Sequence, residues 1–189
     1  MIILRTLAVA VLATGVAAAA LAGDDVLDAI EQARKAYRSG DLAGAKLSLD
    51  TASQLIGQKN ADTFAALLPN PLPGWRAERT QTSAVGAVML GATVASRSYS
   101  NDKGESIEVH ITGDSALVTQ FAVFFTNPQF AGAIGRLIRV GDQRAIQTPD
   151  GDINILVSNK FLVTVQGTGA ASDKIAYAQA VDVMRLTRM

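Results

Sequence analysis

Pro69-Asn70-Pro71-Leu72-Pro73-Gly74-Trp75 is the stretch that divides this chain. It packs three of the five prolines into five positions. No helix survives that density, because each proline lacks the N–H of a helical bond and its ring clashes with the preceding turn. Before the stretch apolar residues recur with a helical period, and after it they alternate, as in strands. The spacing therefore predicts a proline-rich hinge at 69–74 between a helical hairpin, 23–68, and an α+β domain, 75–189. Trp75, the only Trp, opens the second part directly. A lone Trp there is expected to plug the edge of a core and pin the linker, with ligand stacking as the alternative.

Upstream, Asp24 or Asp25 caps a helix in which Val26, Ile30, Ala33 and Tyr37 form one face. Ser39-Gly40 stops it, since Gly suits the left-handed position just past a helix. Asp41 caps a second helix with Leu42, Ala45, Leu49, Ala52 and Ile56 at the same kind of spacing. So short a loop folds the two helices back on each other. The carboxylates Asp24, Asp25 and Asp28 suggest a metal cluster only superficially, because a first helical turn favours negative charge through its dipole.

Downstream, strands are expected over Trp75 to Thr82, Thr93 to Ser100 and Glu105 to Thr112. A helix follows from Ala116 to about Thr126, closed by Asn127-Pro128. Leu137 to Val140, Gln143 to Gln147, Asp152 to Ser158 and Phe161 to Gln166 are further strands, and Ser172 caps a last helix from Asp173 to Leu186. The fold class is α+β: an N-terminal helical hairpin, then a mainly antiparallel sheet with two packed helices, covered on one side.

Residues 1–22 are expected to be an address rather than structure. Arg5 precedes an apolar run from Leu7 to Val16, and Ala20-Leu21-Ala22 offers a small-x-small cleavage site, which together predict a signal peptide cut after Ala22. An uncleaved anchor is the alternative, since Thr6 to Ala22 approaches the ~17-residue lower limit of a spanning helix. No other stretch is apolar enough to span a bilayer, so the expected location is the bacterial periplasm.

Three resemblances rest on these words. Ala33, Tyr37, Gly40-Asp41-Leu42, Ala45, Leu49 and Ala52 resemble the middle of one tetratricopeptide repeat. A stacked array needs roughly three such repeats, so a single hairpin packed on something else is expected: the following domain, or another protein. The hinge words Leu72-Pro73-Gly74-Trp75 and the ending Asn127-Pro128 resemble those of uncharacterised exported proteins of proteobacteria, a resemblance that implies no activity. The strand order is similar to the α/β sandwich of the Mog1- and PsbP-like proteins, which are binding proteins rather than enzymes. That similarity concerns the fold, and a fold does not fix a function.

Composition removes several chemistries. The 189 residues carry 17 Lys plus Arg against 17 Asp plus Glu, and zero net charge argues against a nucleic-acid partner, whose phosphates demand cations. Cys is absent and His occurs once, which leaves no disulfide, thiolate or Cys-ligated zinc and few nucleophile–base pairs. His110 lies on a strand with Glu108 on its face, and Ser96, Ser98 or Ser100 could approach across the sheet. No nucleophile-elbow pattern surrounds any Ser, so His110 is expected to be a polar residue on a solvated face. Asp150-Gly151-Asp152 invites a calcium reading, yet the later oxygen ligands are missing and a hairpin turn wants the same residues. No catalytic residue, metal or cofactor is expected.

What stands out is apolar. Gly86 and Gly91 flank Ala87, Val88, Met89 and Leu90 where a polar turn would serve. Phe121, Phe124, Phe125 and Phe130 are four of the six Phe, within ten residues. On a helix these span a wide arc, so the helix is either sandwiched between sheet and hairpin or partly exposed. If exposed, Val88, Met89, Leu90, Phe121, Phe124, Phe125 and Phe130 form a patch for a partner or an apolar ligand, with Arg136, Arg139 and Arg144 as a charged rim. The expected function is a non-catalytic adaptor that binds another envelope protein. The alternative is a periplasmic carrier of a small apolar or lipidic ligand.

Overall fold

The computed structural model describes residues 24–84, 92–113 and 116–189. Val88, Met89 and Leu90 lie outside them, as do the first 23 residues. Two antiparallel helices open the described chain: α1 (Asp25–Arg38) and α2 (Leu42–Ala65). Asp24 caps α1 by accepting from Val26 N at 3.0 Å, and Asp41 caps α2 by accepting from Gly44 N at 2.8 Å. Between them Gly40 takes φ +83°, the left-handed conformation that lets the chain reverse.

The helix α2 runs on to Ala65, well beyond the apolar face ending at Ile56. Gln58 donates to Asp62 at 3.0 Å and Thr63 Oγ1 to the Lys59 carbonyl at 2.9 Å, so the polar stretch holds itself helical. Its end carries Phe64 into the main core. There the ring meets Phe161 edge-on at 5.6 Å, above Gly113, where any Cβ would come within 2.7 Å of the Phe64 ring. Only a glycine lets this helix end press so closely on the sheet.

Eight antiparallel strands follow: β1 (Trp75–Ala77), β2 (Gln81–Ala84), β3 (Thr93–Asn101), β4 (Ser106–Gly113), β5 (Arg136–Val140), β6 (Gln143–Gln147), β7 (Ile153–Val157) and β8 (Phe161–Gly167). Their spatial order is β1-β3-β4-β8-β7-β6-β5, with β2 pairing on β3 beside β1. The strand expected over Trp75 to Thr82 is thus two short ones along one long neighbour. The α+β class holds, with every ladder antiparallel.

Alternation gives the sheet two unlike faces. The inner face sets Tyr99 opposite Ile107, Val109 opposite Val165, and Ile155 opposite Val163, all fully buried. Over it lie Phe64 from the end of α2, Leu67 and Leu68 just beyond it, Leu72 from the proline-rich segment with Trp75 following it, and Tyr177, Ala178 and Leu186 from the C-terminal helices. The outer face carries Ser96, Ser98, Glu108, His110, Asn154, Thr164 and Gln166 on one half and Ile146 and Leu156 on the other. The apolar half is covered by α3 (Ala116–Thr126) and α4 (Pro128–Ile134). The sheet is therefore covered on both sides, not one.

The helices differ from expectation by one added helix, one cap and one break. As expected, α3 ends at Thr126 before Asn127-Pro128, but Pro128 opens a further short helix, α4, at its first position, where its missing N–H costs nothing. The last helix is two, α5 (Ala171–Ala180) and α6 (Val183–Leu186), since Val181 turns extended (ψ 133°) to bury its own side chain. Ser172 does not cap α5; the cap position is Ala170, without a side-chain bond.

The hinge is fastened rather than free. Tyr99 donates its hydroxyl to the Pro69 carbonyl at 2.6 Å, Arg97 Nη1 donates to the same oxygen at 3.2 Å, and the Leu72 N–H donates to the Tyr177 oxygen at 3.2 Å. Trp75 meets Tyr177 edge-on at 5.7 Å, and Tyr177 lies against Tyr99 at 4.3 Å. Burial raises both phenols above their ordinary value, Tyr99 to about 12.

Candidate functional site

The seam between α1 and α2 is made of small residues: Val26, Ala29 and Ala33 from one helix, Ala45 and Ala52 from the other, all buried. Small side chains bring the two helices close and leave no room between them for large ones. One step round each helix come Ile30 and Tyr37 on α1, and Leu42, Leu49 and Ile56 on α2. Their spacing is seven throughout, so each row drifts only about 20° per heptad and forms a straight stripe. Because the helices are antiparallel and both right-handed, the two stripes fall on the same side of the hairpin. These five side chains are 43% to 68% exposed.

The sequence had grouped Ile30, Tyr37, Leu42, Leu49 and Ile56 with the buried residues of each helix. They flank the seam instead, and the signal was present: when a face alternates alanine with bulky residues, the alanines take the close contact. Charged pairs stand next round each helix, Arg34 with Glu31 at 2.7 Å and Lys46 with Asp50 at 2.8 Å. The hairpin thus offers a two-helix apolar groove with a charged border. At its far end it meets the sheet through Ala61 and Phe64, both fully buried.

The phenylalanine region is largely used in packing. Phe125 is buried against Ala131 and Ile146, and Phe124 is partly buried on the same cluster. Phe121 is half-buried against Phe124, with ring centroids 5.8 Å apart. Phe130 lies in α4, but its side chain is outside the described ones. The helix is not sandwiched between sheet and hairpin, since the end of α2 and α3 lie on opposite faces of the sheet. Among the described side chains of α3, Val123 is the large apolar one left exposed.

Around the sole imidazole the outer face is polar. His110 Nε2 stands 3.1 Å from Glu108 Oε2 and 3.3 Å from Gln166 Nε2. Ser96 lies directly opposite His110 on β3, and Ser98 opposite Glu108. A Ser–His couple would need a hydroxyl on an imidazole nitrogen. Among the described residues no such bond is made, and Nε2 is taken up by Glu108 and Gln166.

The Asp150-Gly151-Asp152 turn is a hairpin turn, with the Gly151 N–H on the Thr148 carbonyl at 2.9 Å. Buried Lys174 from α5 places its ammonium 2.9 Å from the Asp150 carbonyl and 2.7 Å from Asp152 Oδ1. A cation seeking those oxygens would find a lysine already there. Among the described residues no group of three or more His, Cys, Asp or Glu is arranged to hold a metal ion. No described helix is long and apolar enough to cross a membrane. Comparison of the chain with protein-family models, with curated proteins and with solved structures gives no match.

Proposed function

We propose that this protein is a non-catalytic adaptor of the bacterial cell envelope, exported by a cleaved signal peptide into the periplasm, where its single tetratricopeptide-like hairpin binds another envelope protein. The observation that carries the proposal is the double stripe of Ile30, Tyr37, Leu42, Leu49 and Ile56 on one exposed side of the hairpin. Two antiparallel helices with apolar rows at heptad spacing suit a third helix laid between them, since such rows stay in register at a crossing angle of about 20°. The partner's contribution is therefore an amphipathic helix whose own apolar residues recur at three and four.

The magnitudes favour this surface as the source of affinity. Fully burying a large apolar side chain is worth about 1.5–3 kcal/mol, and these five, 43% to 68% exposed, have about 4–8 kcal/mol of that left to gain, which meets the lower part of the roughly 4–15 kcal/mol cost of association and leaves the remainder to the partner's own apolar residues. The bordering ion pairs, exposed on both sides, add little affinity and serve orientation instead. A carrier of an apolar ligand would need open space between sheet and helix, where Val118, Phe125 and Ile146 are buried.

The test is a photo-crosslinking amino acid placed at position 49 in the intact organism. One dominant protein adduct is expected, lost when Tyr37→Asp is added, while the same label at Gln179 gives none. Absence of any adduct at position 49, or an adduct indifferent to Tyr37→Asp, overturns the proposal. Phe125 is unsuitable as a surface probe, because a buried carboxylate there would disturb folding.

A further inference from the structure

The far edge of the sheet carries a second recognition surface, independent of the hairpin. Strand β5 ends the sheet, and among the described residues nothing pairs with its outer side. It is joined to β6 by the two-residue turn Gly141-Asp142, with Gly141 at φ +57°. A two-residue turn makes the flanking residues, Val140 and Gln143, a hydrogen-bonded pair. Pairs then alternate along the ladder, so Ile138 and Arg136 bond inward to β6 while Leu137 and Arg139 direct their N–H and C=O groups outward.

The side chains of the same residues make the edge selective. Arg139 lies directly opposite Arg144 on the outer face of the sheet, and like charges so placed repel. Both guanidinium groups are exposed, and neither makes an ion pair with any described carboxylate, Asp142 in the adjoining turn included. Leu137, two residues along on the same face, is 39% exposed. Arg136 is different: it lies on the other face and donates to Gln147 at 2.9 Å.

We infer that β5 receives an extended acidic peptide segment of a partner protein as an added antiparallel strand. The segment presents a carboxylate opposite Arg139, in reach of Arg144, and an apolar residue two positions later opposite Leu137. The backbone of Leu137 and Arg139 supplies strand pairing, and the arginine pair supplies sign and register. A carboxylate inserted there relieves a repulsion that the free protein holds, so the charge contribution exceeds that of an ordinary surface pair.

The experiment is fluorescence anisotropy on the full mature chain with a labelled eight-residue peptide alternating threonine and valine around one Glu-Val-Leu segment. Saturable binding is expected, weakened at least tenfold by Arg139→Gln with Arg144→Gln, and weakened likewise when the peptide glutamate is glutamine. N-methylation of the peptide nitrogens that face β5 is expected to abolish binding, which separates strand addition from charge attraction alone. No binding up to millimolar peptide overturns the inference, as does equal binding by the charge-neutral variant or by the N-methylated peptide. Circular dichroism of the double variant, both changes lying on exposed positions, checks that the fold is retained.

Discussion

The inner face of the sheet and the helical hairpin bury their apolar residues by opposite rules. On the sheet the large side chains, Tyr99, Ile107, Ile111, Ile153 and Ile155, are sealed completely. In the hairpin alanine fills the contact, and Leu42, Leu49 and Tyr37 remain in water. The sheet uses burial to hold itself together, whereas the hairpin leaves its largest apolar side chains exposed. The same amino-acid types therefore have different work in the two regions, and hydrophobicity alone does not tell which.

Four substitutions test that contrast. Phe64→Ala, at the one place where the hairpin's helix enters the sealed core, should have the largest effect, about 3–5 kcal/mol of lost stability. Urea unfolding followed by tryptophan fluorescence measures it through Trp75; a loss below about 1 kcal/mol would mean that the helix end contributes little to the core. Tyr99→Phe should cost about 1 kcal/mol at neutral pH, because Arg97 continues to serve the Pro69 carbonyl.

Its pH dependence is the sharper test. Burial raises the Tyr99 phenol to about 12, so the fold favours the neutral form. The stability this contributes is present in full below the ordinary tyrosine value of about 10 and is lost as pH rises towards about 12. Urea midpoints between pH 8 and 11.5 should therefore fall more steeply for the native chain than for Tyr99→Phe, with Tyr177 keeping a residual slope. Equal slopes would place the alkaline sensitivity elsewhere.

The smallest effect belongs to the hairpin stripe. Tyr37→Asp and Leu49→Asp should change stability by less than about 0.5 kcal/mol, since both positions already face water. A large loss in either would show that the stripe is internal packing, and the distinction between the two regions would collapse.

The fold class, the two helical caps, the break in regular structure at 69–74 and the alternation of β3, β4 and β8 could all be read from residue types, because each depends on local periodicity or a local breaker. Features that depend on distant partners could not. Nothing local tells that Phe64 would lie over Gly113. The break at Val181 was hidden for the same reason: the helical pattern continues through it, and only the pull of the core on that side chain ends the helix. The arginines at 139 and 144 were visible as neighbours in sequence, but their placement directly across a ladder required the turn at Gly141-Asp142 to be located to the residue.

The length of α2 has a mechanical consequence. Its 24 residues make one unbroken rod about 36 Å long, packed on α1 through Ala45 and Ala52 along its first turns and clamped to the sheet at its last by Phe64 and the fastened segment beyond. Whatever settles on the hairpin is held at a fixed distance and bearing from the sheet, and a pull on it arrives as torque at the clamp rather than being absorbed by a joint.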